Sequence, residues 1–330
     1  MTDPTPVLDL IEAFRRSKTM FAGCELGIFD LLESGPQTAS ALASSAGADP
    51  DSLRRLLDAL ASLGFLARDG DTYSNTPVAY GYLRRASPNT LTGYILYSNE
   101  VLWRLWANLE DATREGTHRW KQTFGFDGPI FNHFFRTDDA MRTFMRGMNG
   151  LGLLSSPSVA AAFDLSSFRR AVDLGGGTGH LAVALARRWP DLRATVFDLP
   201  QVIEFAKEYT EGRVTLCAGD FFTDPLPEAD LFALGRILHD WSEEKIGRIL
   251  HRIFDRLPSG GAVLIAEKLL DSDKRGPVPA HMQSLNMLLC TEGRERTREE
   301  YRALLEDAGF TEVEAKETGT PLDAILGRKR

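Results

Sequence analysis

The side chains of this sequence best suited to chemistry stand where successive predicted strands end. Asp198, Asp220, His239 and Glu267 each close or follow a short apolar run in the second half of the chain. Ligands of open α/β sheets bind outside the carboxyl ends of the strands. One polar residue at such a place means little, but four in succession predict a binding site.

His239 is the candidate general base of this site. It stands between Leu238 and Asp240, just after a predicted strand. An imidazole has an unperturbed pKa of about 6.5, so it can act as a neutral base at physiological pH. A phenol, with a pKa of about 10, is within its reach, whereas an aliphatic alcohol is a much harder substrate.

A histidine base needs a partner that fixes its tautomer and stabilises the imidazolium. Glu267 and Glu295 are the candidates. Glu267 could instead be a solvated acid at a strand end, and Glu295 lies in a charged segment, residues 291–297, where a solvent-facing acid would be equally ordinary. No metal-ligand spacing surrounds His239, which predicts a reaction without a metal ion.

A glycine-rich stretch predicts the place of a cofactor. Residues 171–174 form a short apolar run, glycines follow at 175–177 and 179, and a helical pattern begins at Leu181. Strand, glycine turn and helix together hold nucleotide-like ligands, because glycine lets the backbone turn tightly and lets a ligand lie directly on it. The alternative is a structural glycine turn without a ligand.

The spacing favours S-adenosylmethionine over NAD. A dinucleotide pattern counted from Gly175 and Gly177 needs a small residue at position 180, where this chain has His180. Asp173 lies inside the strand just before the glycines, and its carboxylate suits an amino group better than a pyrophosphate. Methyl transfer from a sulfonium requires an aligned acceptor oxygen and removal of its proton, which the predicted base can supply.

Further residues are expected around this cofactor. Asp198 can bind both ribose hydroxyls, or it can cap the helix that follows Pro200. Asp220 can accept from the adenine amino group while Phe221 stacks on the base; the alternative is a turn acid beside a core phenylalanine. Arg236 can form part of the cofactor wall or pair with an acid.

The alternation of strands and helices from about residue 170 predicts a doubly wound, mostly parallel α/β sheet. A capping box of Thr297 and Glu300 opens a late helix, and two further strands near 312–316 and 323–326 should form a hairpin at the sheet edge. The parallel strands are predicted at residues 171–174, 194–197, 213–216, 231–234 and 262–266.

The N-terminal part is predicted to be a winged helix that dimerises. Helical patterns at residues 7–14, 21–32, 38–46 and 50–63 precede a hairpin at 65–68 and 72–74. DNA binding is disfavoured, because the last helix offers only Arg54 and Arg55 among several acids. The first helices carry more apolar surface than so small a domain can bury, which favours a homodimer.

These patterns divide the chain into three predicted segments. Residues 1–95 form the dimerisation domain, 96–165 a helical linker with an aromatic-rich substrate-pocket segment, and 166–330 the S-adenosylmethionine-binding domain. A length of 330 residues is sufficient for two domains. The net charge of -8 is a separate observation, and it argues against a nucleic-acid partner.

Composition also bears on compartment. No run approaches the roughly 18 apolar residues of a membrane span, and the polar N-terminus has no signal-peptide pattern. The three cysteines, at 24, 217 and 290, are scattered and predict neither a disulfide framework nor a zinc cluster. We therefore expect a cytoplasmic protein without a membrane partner.

The motifs together resemble one known family over nearly the whole chain. It is the caffeate-type family of S-adenosylmethionine-dependent small-molecule O-methyltransferases, and within it the acetylserotonin (hydroxyindole) branch. The glycine motif alone is weak, but Leu-His-Asp-Trp at 238–241 and Glu-Arg-Thr at 295–297 make the likeness specific. The matching stretches are residues 24–32, 173–179, 197–200, 219–222, 224–230, 238–241, 284–288, 291–297 and 323–326.

The resemblance implies a Rossmann-like methyltransferase fold and a homodimer formed through the winged helix. It implies His239 as general base with Glu267 and Glu295 beside it, and Asp240 and Asn286 facing the acceptor. The predicted cofactor-binding residues are Asp173, Gly175, Gly177, Asp198, Leu199, Gly219, Asp220, Phe221 and Arg236.

Three positions depart from the acetylserotonin branch. Cys290 stands where those enzymes tend to have Gln on the acceptor-binding helix, Phe135 where they have Tyr, and Gly152 where they can have Trp. Cys290 and Phe135 are counted among the substrate-binding residues. The changes predict a pocket that differs from theirs in polarity and in room.

The sequence thus predicts an O-methyltransferase for an aromatic hydroxyl of a small molecule, a phenol or a hydroxyindole resembling N-acetylserotonin. A second hypothesis, motivated by the departures, is a non-catalytic S-adenosylmethionine-binding regulator or scaffold that uses its winged helix. A third is a family member that binds the same cofactor and runs a different reaction.

Overall fold

A computed structural model describes residues 2–210 and 212–330, together with every side chain in these ranges except that of residue 130. The chain divides into two compact units, the first ending at Trp103 and the second running from Arg104 to Arg330. None of the helices in the described ranges combines the length and apolarity needed to cross a bilayer.

The first unit is mainly helical and carries a small antiparallel sheet in the order β1-β3-β2. The side chains of Thr38 and Asp49 accept backbone N–H groups at the starts of α3 and α4, so both helices have N-terminal caps. Its elements are α1 Thr5–Glu25, α2 Ile28–Leu31, β1 Gln37–Thr38, α3 Ala39–Ala46, α4 Pro50–Ser62, β2 Leu66–Asp69, β3 Thr72–Asn75, α5 Pro77–Tyr82 and α6 Thr92–Tyr97, followed by a π-helical turn at Ser98–Leu102.

The boundary between the first two helices differs from the prediction. Instead of separate helices at 7–14 and 21–32, α1 runs without a break from Thr5 to Glu25, and the short α2 follows. Gly27 separates them with a φ of 69°, a left-handed conformation that ends the helix at little cost for glycine. The apolar spacing continued through this position and gave no sign of the break.

One face of α1 is apolar and exposed. Its side chains Val7, Leu10, Ile11 and Phe14 are between 53% and 75% exposed, whereas the core of the first unit is formed by residues such as Phe29 and Leu57. Water-exposed apolar side chains at helical spacing indicate a surface that another protein covers.

The second unit is a seven-stranded sheet flanked by helices. Helix α7, Trp103–Trp106, contains the boundary between the units. The remaining elements are α8 Leu109–Glu115, α9 Trp120–Phe124, α10 Ile130–Phe134, α11 Asp138–Ala161, β4 Arg170–Leu174, α12 His180–Arg188, β5 Arg193–Asp198, α13 Pro200–Thr210, β6 Thr215–Ala218, β7 Leu231–Gly235, a 3-10 turn Leu238–Asp240, α14 Glu243–Arg256, β8 Ala262–Glu267, α15 Val278–Cys290, α16 Arg298–Asp307, β9 Thr311–Lys316 and β10 Asp323–Arg328.

The strand order is β6-β5-β4-β7-β8-β10-β9. Strands β4 to β8 pair in parallel, and β10 pairs antiparallel with both β8 and β9. The predicted doubly wound sheet with a hairpin at its edge is therefore confirmed; only the third strand lies two residues later than expected, at Thr215–Ala218. The order in which strands are added reverses at β4, with β5 and β6 on one side and β7 and β8 on the other, and this switch point opens a crevice at the carboxyl ends of β4 and β7.

Apolar side chains cover both faces of this sheet. One core cluster includes Phe232 and Ile265 and packs under α14, and the other includes Val196 and Leu264 and packs under α12. Strand β8 is buried along its whole length, as expected for a parallel strand between two helical layers. The layers hold the loops at the crevice in fixed positions.

Candidate active site

The glycine turn after β4 adopts the conformation that its composition predicts. Gly175, Gly177 and Gly179 have φ values of 64°, 58° and 81°, all in the left-handed region that side chains disfavour. A Cβ added to Gly175 would lie 2.5 Å from Ile237 Cδ1 and 3.3 Å from Phe221 Cε1. The turn therefore lies directly against the residues that follow β6 and β7, with no room for a side chain.

Asp173 is a buried acid beneath this turn. One oxygen, Oδ2, accepts the backbone N–H of Ala182 at 3.1 Å, and Oδ1 has no hydrogen-bond partner among the described residues. Burial raises its pKa from 3.8 to about 7, against the opposing hydrogen bond from Ala182. A buried oxygen with an unused lone pair is a place where a ligand cation or donor would be stabilised.

Asp198 closes β5 and spans the turn. Its Oδ2 accepts the N–H of Gly177 at 2.9 Å, and its Oδ1 accepts the N–H of Leu199 at 2.7 Å. Burial raises its pKa to about 6. Each oxygen keeps a second lone pair, so the carboxylate is oriented by the backbone and can still accept from two hydroxyls.

The residues after β6 complete this half of the site. Gly219 donates its N–H to the carbonyl of Asp198 at 2.9 Å, and a Cβ on it would lie 2.4 Å from the ring of Phe197. Asp220 accepts the N–H of Phe222 at 2.8 Å, which holds the turn that presents Phe221. The structure thus brings together the predicted cofactor residues of β4, β5 and β6.

His239 lies in the 3-10 turn after β7, and Glu267 holds that turn in place. Glu267 Oε1 accepts three consecutive backbone N–H groups, from Ile237 and Leu238 at 3.0 Å and from His239 at 3.3 Å. The glutamate is fully buried at the end of β8, and burial raises its pKa to about 7. Its Oε2 lies 3.2 Å from His239 Nδ1.

Glu295 is the closer partner of the imidazole. Its Oε1 lies 2.7 Å from His239 Nδ1, whose proton can point at only one of the two carboxylates. When both glutamates are ionised, Nδ1 carries the proton of a neutral His239, which leaves the lone pair on Nε2. Burial raises the pKa of Glu295 to about 8 against the charges of Arg236 and Arg296.

Gly293 positions His239 and Glu295, and the sequence analysis did not single it out. A Cβ on Gly293 would lie 2.1 Å from the carbonyl oxygen of His239, so loop and turn meet backbone to backbone. The N–H of Glu292 also donates to the carbonyl of Asp240 at 3.3 Å. A glycine in a charged loop carries no sign of its tertiary neighbour, so only the fold identifies it.

Arg236 lies between the two halves of the site. It has a φ of 59°, which is unusual for a residue with a side chain, and its Nε has no hydrogen-bond partner within the described residues. Burial is the largest cause of the shifted pKa values of Glu295 and His180. The positive charge of Arg236 is the next cause, and it lowers both pKa values. A strained arginine with an unused donor fits a ligand wall better than a simple ion pair.

The predicted acceptor residues fall into two groups. Asp240 Oδ1 lies 3.7 Å from His239 Nε2, and burial raises the pKa of Asp240 to about 7. Asn286 and Cys290 lie on α15, where Cys290 is buried. Phe135 packs instead against Phe131 and Phe144, and no described contact joins it to Asn286.

Gly152 and His180 form a matched pair in the wall of the glycine turn. A Cβ on Gly152 would lie 2.3 Å from His180 Nε2, so the imidazole occupies the space over the glycine. Ser156 Oγ bonds His180 Nδ1 at 2.8 Å. Burial and then the charge of Arg236 lower the pKa of His180 to about 4, so this histidine is neutral.

The residues present fit S-adenosylmethionine. Its amino group and ribose hydroxyls match the free lone pairs of Asp173 and Asp198, which lie beside the glycine turn. Burial of two carboxylates beside a glycine turn would repel a pyrophosphate. These acceptor groups therefore suit a nucleoside ligand that carries a positive charge.

The same crevice contains three groups with metal-ligating atoms. Atoms of His239, Glu267 and Glu295 lie within 4.8 Å of one another. One nitrogen of the imidazole is already bonded to Glu295, and Glu267 already accepts three backbone N–H groups. The arrangement is that of an imidazole oriented by two carboxyl groups.

Comparison with known proteins gives a consistent result. Two family models match the chain, an O-methyltransferase dimerisation domain over residues 8–85 and an O-methyltransferase domain over residues 106–311. The chain is 42% identical over 327 residues to acetylserotonin O-methyltransferase of Bos taurus, covering 96% of this chain and 95% of that protein.

Two further similarities widen the comparison. The tetracenomycin polyketide synthesis 8-O-methyl transferase TcmO of Streptomyces glaucescens is 38% identical over 333 residues, which cover 99% of this chain and 97% of that protein. The crystal structure of human N-acetylserotonin methyltransferase in complex with SAM matches with a TM-score of 0.96 and 40% identity, covering 100% of this chain and 98% of that one.

Proposed function

This chain belongs to the S-adenosylmethionine-dependent O-methyltransferase family, and from that premise we propose that it methylates an aromatic hydroxyl of a small molecule with His239 as general base. The observation that carries the proposal is the buried bond between His239 Nδ1 and Glu295 Oε1 at 2.7 Å. With Glu295 ionised, this bond favours the tautomer that has the proton on Nδ1 and a basic Nε2, which supports the role proposed for His239.

When bound, S-adenosylmethionine supplies an electrophilic methyl group. The residues of this chain that would hold it are Asp173, Asp198 and the turn of Gly175 and Gly177, with Phe221 and Arg236 beside them. Asp198 is oriented by two backbone N–H groups, so it can bind hydroxyls without reorganising.

His239 Nε2 would take the proton of the acceptor hydroxyl. The resulting imidazolium is stabilised by Glu295 at 2.7 Å and by Glu267 at 3.2 Å, two carboxylates in a site from which water is largely excluded. A phenol fits this base, because its pKa of about 10 leaves a modest gap to an imidazole, whereas an aliphatic hydroxyl would need a far stronger base.

The reaction proposed here needs no metal ion. His239 Nδ1 is engaged by Glu295, and the carboxylate of Glu267 is engaged by the 3-10 turn, so both act as supports of the base. Activity is expected to survive prolonged treatment with a chelator. Loss of activity that returns with one added divalent metal would contradict this point.

We further propose that the protein is a homodimer joined through the apolar face of α1. That face presents Val7, Leu10, Ile11 and Phe14 to solvent and lies within the matched dimerisation domain. Light scattering should give twice the chain mass. The variant Leu10→Arg should shift the mass toward the monomer, whereas Arg15→Lys, on the same helix, should not.

The test of the activity is a product assay. The protein is incubated with S-adenosylmethionine and a panel of phenols and hydroxyindoles, and products are identified by mass spectrometry. We expect at least one acceptor to gain a single methyl group. Binding of S-adenosylmethionine and S-adenosylhomocysteine, measured by calorimetry, should exceed binding of NAD.

Two outcomes would overturn the proposal. No methylated product from any panel member, with tight S-adenosylhomocysteine binding, would instead favour the non-catalytic regulator. Methylation of nitrogen or carbon atoms with none on oxygen would place the chain among family members that run another reaction.

A further inference from the structure

Two histidines lie side by side in the aromatic-rich segment of residues 118–136. His118 precedes α9 and His133 lies on α10, and the centroids of their rings are 5.6 Å apart. His133 is 1% exposed and stacks on the indole of Trp120, with the ring centroids 5.5 Å apart and an angle of 21° between the rings. Phe126 is a further ring neighbour of His133, at 6.4 Å. The two imidazoles are therefore held together by an aromatic cluster, and we call them the histidine pair.

One nitrogen of each ring is buried without a hydrogen-bond partner. These atoms are His118 Nδ1 and His133 Nε2, and no atom in the part of the chain that the structure describes bonds to either. In a neutral imidazole one nitrogen carries no proton, so a single unpartnered nitrogen can be that atom. An imidazolium has N–H groups on both nitrogens, and each of these two atoms would then be a buried charged donor with nothing to accept its proton. The geometry therefore favours the neutral form of both rings.

Four charged side chains face the histidine pair, two of each sign. Asp127 is already paired with Lys121 at 2.7 Å. Glu292 is likewise paired with Lys245 at 2.9 Å. A protonated ring would therefore gain little from these acids, and two protonated rings would repel each other across 5.6 Å. The four side chains are Arg119 before α9, Asp127 between α9 and α10, Arg136 after α10 and Glu292 after α15.

The same segment holds the end of α15. The N–H of Arg119 donates to the carbonyl of Leu289 at 3.0 Å, and Trp120 Nε1 donates to the carbonyl of Cys290 at 2.8 Å. Both carbonyls belong to the last turn of the helix, where the helix itself supplies no donor. Because Trp120 is also the ring on which His133 stacks, a change at the histidine pair reaches α15 through one side chain.

We propose that His118 and His133 form a pH-sensitive switch, which holds segment 118–136 against the end of α15 while both rings are neutral and releases it on acidification. In the released segment both rings meet water, and each takes up a proton from solvent. The inference concerns the fold of this segment and does not depend on the reaction proposed for the chain.

The direction of the switch follows from where a proton is tolerated. Burial, and after it the charge of His133, lowers the pKa of His118; burial also lowers the pKa of His133, against the backbone of Gly128 and the charge of Asp127. The closed segment thus binds protons less well than the released one. Its stability is fully present above the ordinary imidazole pKa of about 6.5 and falls as pH drops below that value.

The test is hydrogen exchange of the full chain, followed by mass spectrometry from about pH 7.5 to about pH 5, with rates corrected for the intrinsic effect of pH. An opening that takes up one proton becomes about tenfold more favourable per pH unit, and one that takes up two becomes about a hundredfold more favourable. We therefore expect exchange in segment 118–136 and at the end of α15 to rise about tenfold to a hundredfold per pH unit below about 6.5. Peptides from β8 should show no such rise.

Two substitutions then assign the effect to the histidine pair. His133→Phe keeps an aromatic ring on Trp120 but takes up no proton, and His118→Asn keeps a polar side chain that does not titrate in this range. Each substitution alone should reduce the rise in exchange per pH unit, and the two together should abolish it. His251→Asn, at an exposed histidine of α14, is the matched control and should leave the rise unchanged.

Three results would overturn the inference. They are exchange in segment 118–136 that stays constant with pH in the unmodified protein, a rise that the double variant retains, and a rise of equal size in every peptide, which would report unfolding of the whole chain. The first and third are read from the unmodified protein, so the test stays decisive even where a variant fails to fold. A failure of the proposed function would appear separately, as absence of product near neutral pH, where the segment is closed.

Discussion

The buried acids on the two sides of the crevice differ in what holds them. On the β4–β5 side, Asp173 and Asp198 accept hydrogen bonds from backbone N–H groups alone. On the β7–β8 side, Glu267 and Glu295 converge on the single imidazole of His239. All four have raised pKa values because of burial.

The difference teaches what each side is for. An acid held only by the backbone keeps lone pairs for a ligand, and its cost in the ligand-free protein is that of an unsatisfied buried group. An acid beside an imidazole helps to set where the proton of the ring lies, even though Glu267 Oε2 and Glu295 Oε2 have no hydrogen-bond partner among the described residues. Changes on the first side should therefore alter ligand affinity and stability, and changes on the second side should alter turnover.

The largest expected effect is that of His239→Asn. The variant removes the proposed base, so kcat should fall by about a hundredfold to ten-thousandfold. S-adenosylhomocysteine affinity, measured by calorimetry, should change less than about threefold. His251→Asn, at an exposed histidine of α14, is the control. A variant that retains most of its turnover would remove His239 from the mechanism.

Asp173→Asn probes the opposite side through pH. Asp173 ionises near 3.8 when unfolded and only near 7 when folded, so between these values the native state holds a proton that the unfolded chain has lost. Its contribution to stability thus falls as pH rises to about 7 and then levels off. The variant lacks this titration and should gain on the order of 4 kcal/mol relative to wild type across that range.

The measurement for Asp173→Asn is the free energy of unfolding at several pH values, with Asp191→Asn at an exposed acid as control. The same variant should bind S-adenosylhomocysteine about tenfold or more weakly, because it loses a charged partner for the ligand amino group. A flat stability difference across the pH range, or a fall in kcat with unchanged affinity, would break the distinction between the two sides.

Glu295→Gln tests the β7–β8 side, with a smaller expected fall in kcat than His239→Asn. The amide oxygen can still accept from His239 Nδ1, but the charge that stabilises the imidazolium is lost. We expect kcat to fall about tenfold to a hundredfold, with S-adenosylhomocysteine affinity unchanged. Glu292→Gln, at a partly exposed acid of the same loop, should leave kcat near wild type. An equal loss in both variants would point to loop disruption.

Gly152→Ala has the smallest expected effect. The new Cβ would meet the ring of His180 at 2.3 Å, so the imidazole must leave its bond to Ser156. Overpacking of this kind costs about 1–3 kcal/mol, partly offset by the better helix propensity of alanine. Gly247→Ala, on α14 with open space around it, should be neutral or slightly stabilising in thermal melts. A stable Gly152→Ala variant would show that His180 is free to move.

The sequence predicted the sheet because its signals are local, and the same signals named the candidate residues that the structure gathers at the crevice. Apolar runs, glycines and caps located the parallel strands, the edge hairpin and the turn that carries His239. The predicted extent of the first two helices was wrong, because the apolar spacing is continuous across Gly27, where the backbone conformation separates α1 from α2. Local signals do not report where a left-handed residue interrupts a helix.

The residues that sequence reasoning missed share another property. Each acts through a partner that is distant in the chain. Ser156 bonds His180, 24 positions away, and Trp106 bonds Asn286, 180 positions away. Gly293 meets the carbonyl of His239 where a loop touches a turn. Their residue types are ordinary for the elements in which they lie. Such roles are set by tertiary packing, and a single sequence carries no trace of it.

The meeting of Gly293 with the carbonyl of His239 has a consequence for how this scaffold can diversify. Because the main chains touch there, no side chain can be inserted between the loop of Glu295 and the turn of the base. The same loop is tied to α15, because the N–H of Glu295 donates to Ser284 Oγ at 3.3 Å. Residues of that helix can be exchanged for a new acceptor without moving the proposed base only where this contact is kept.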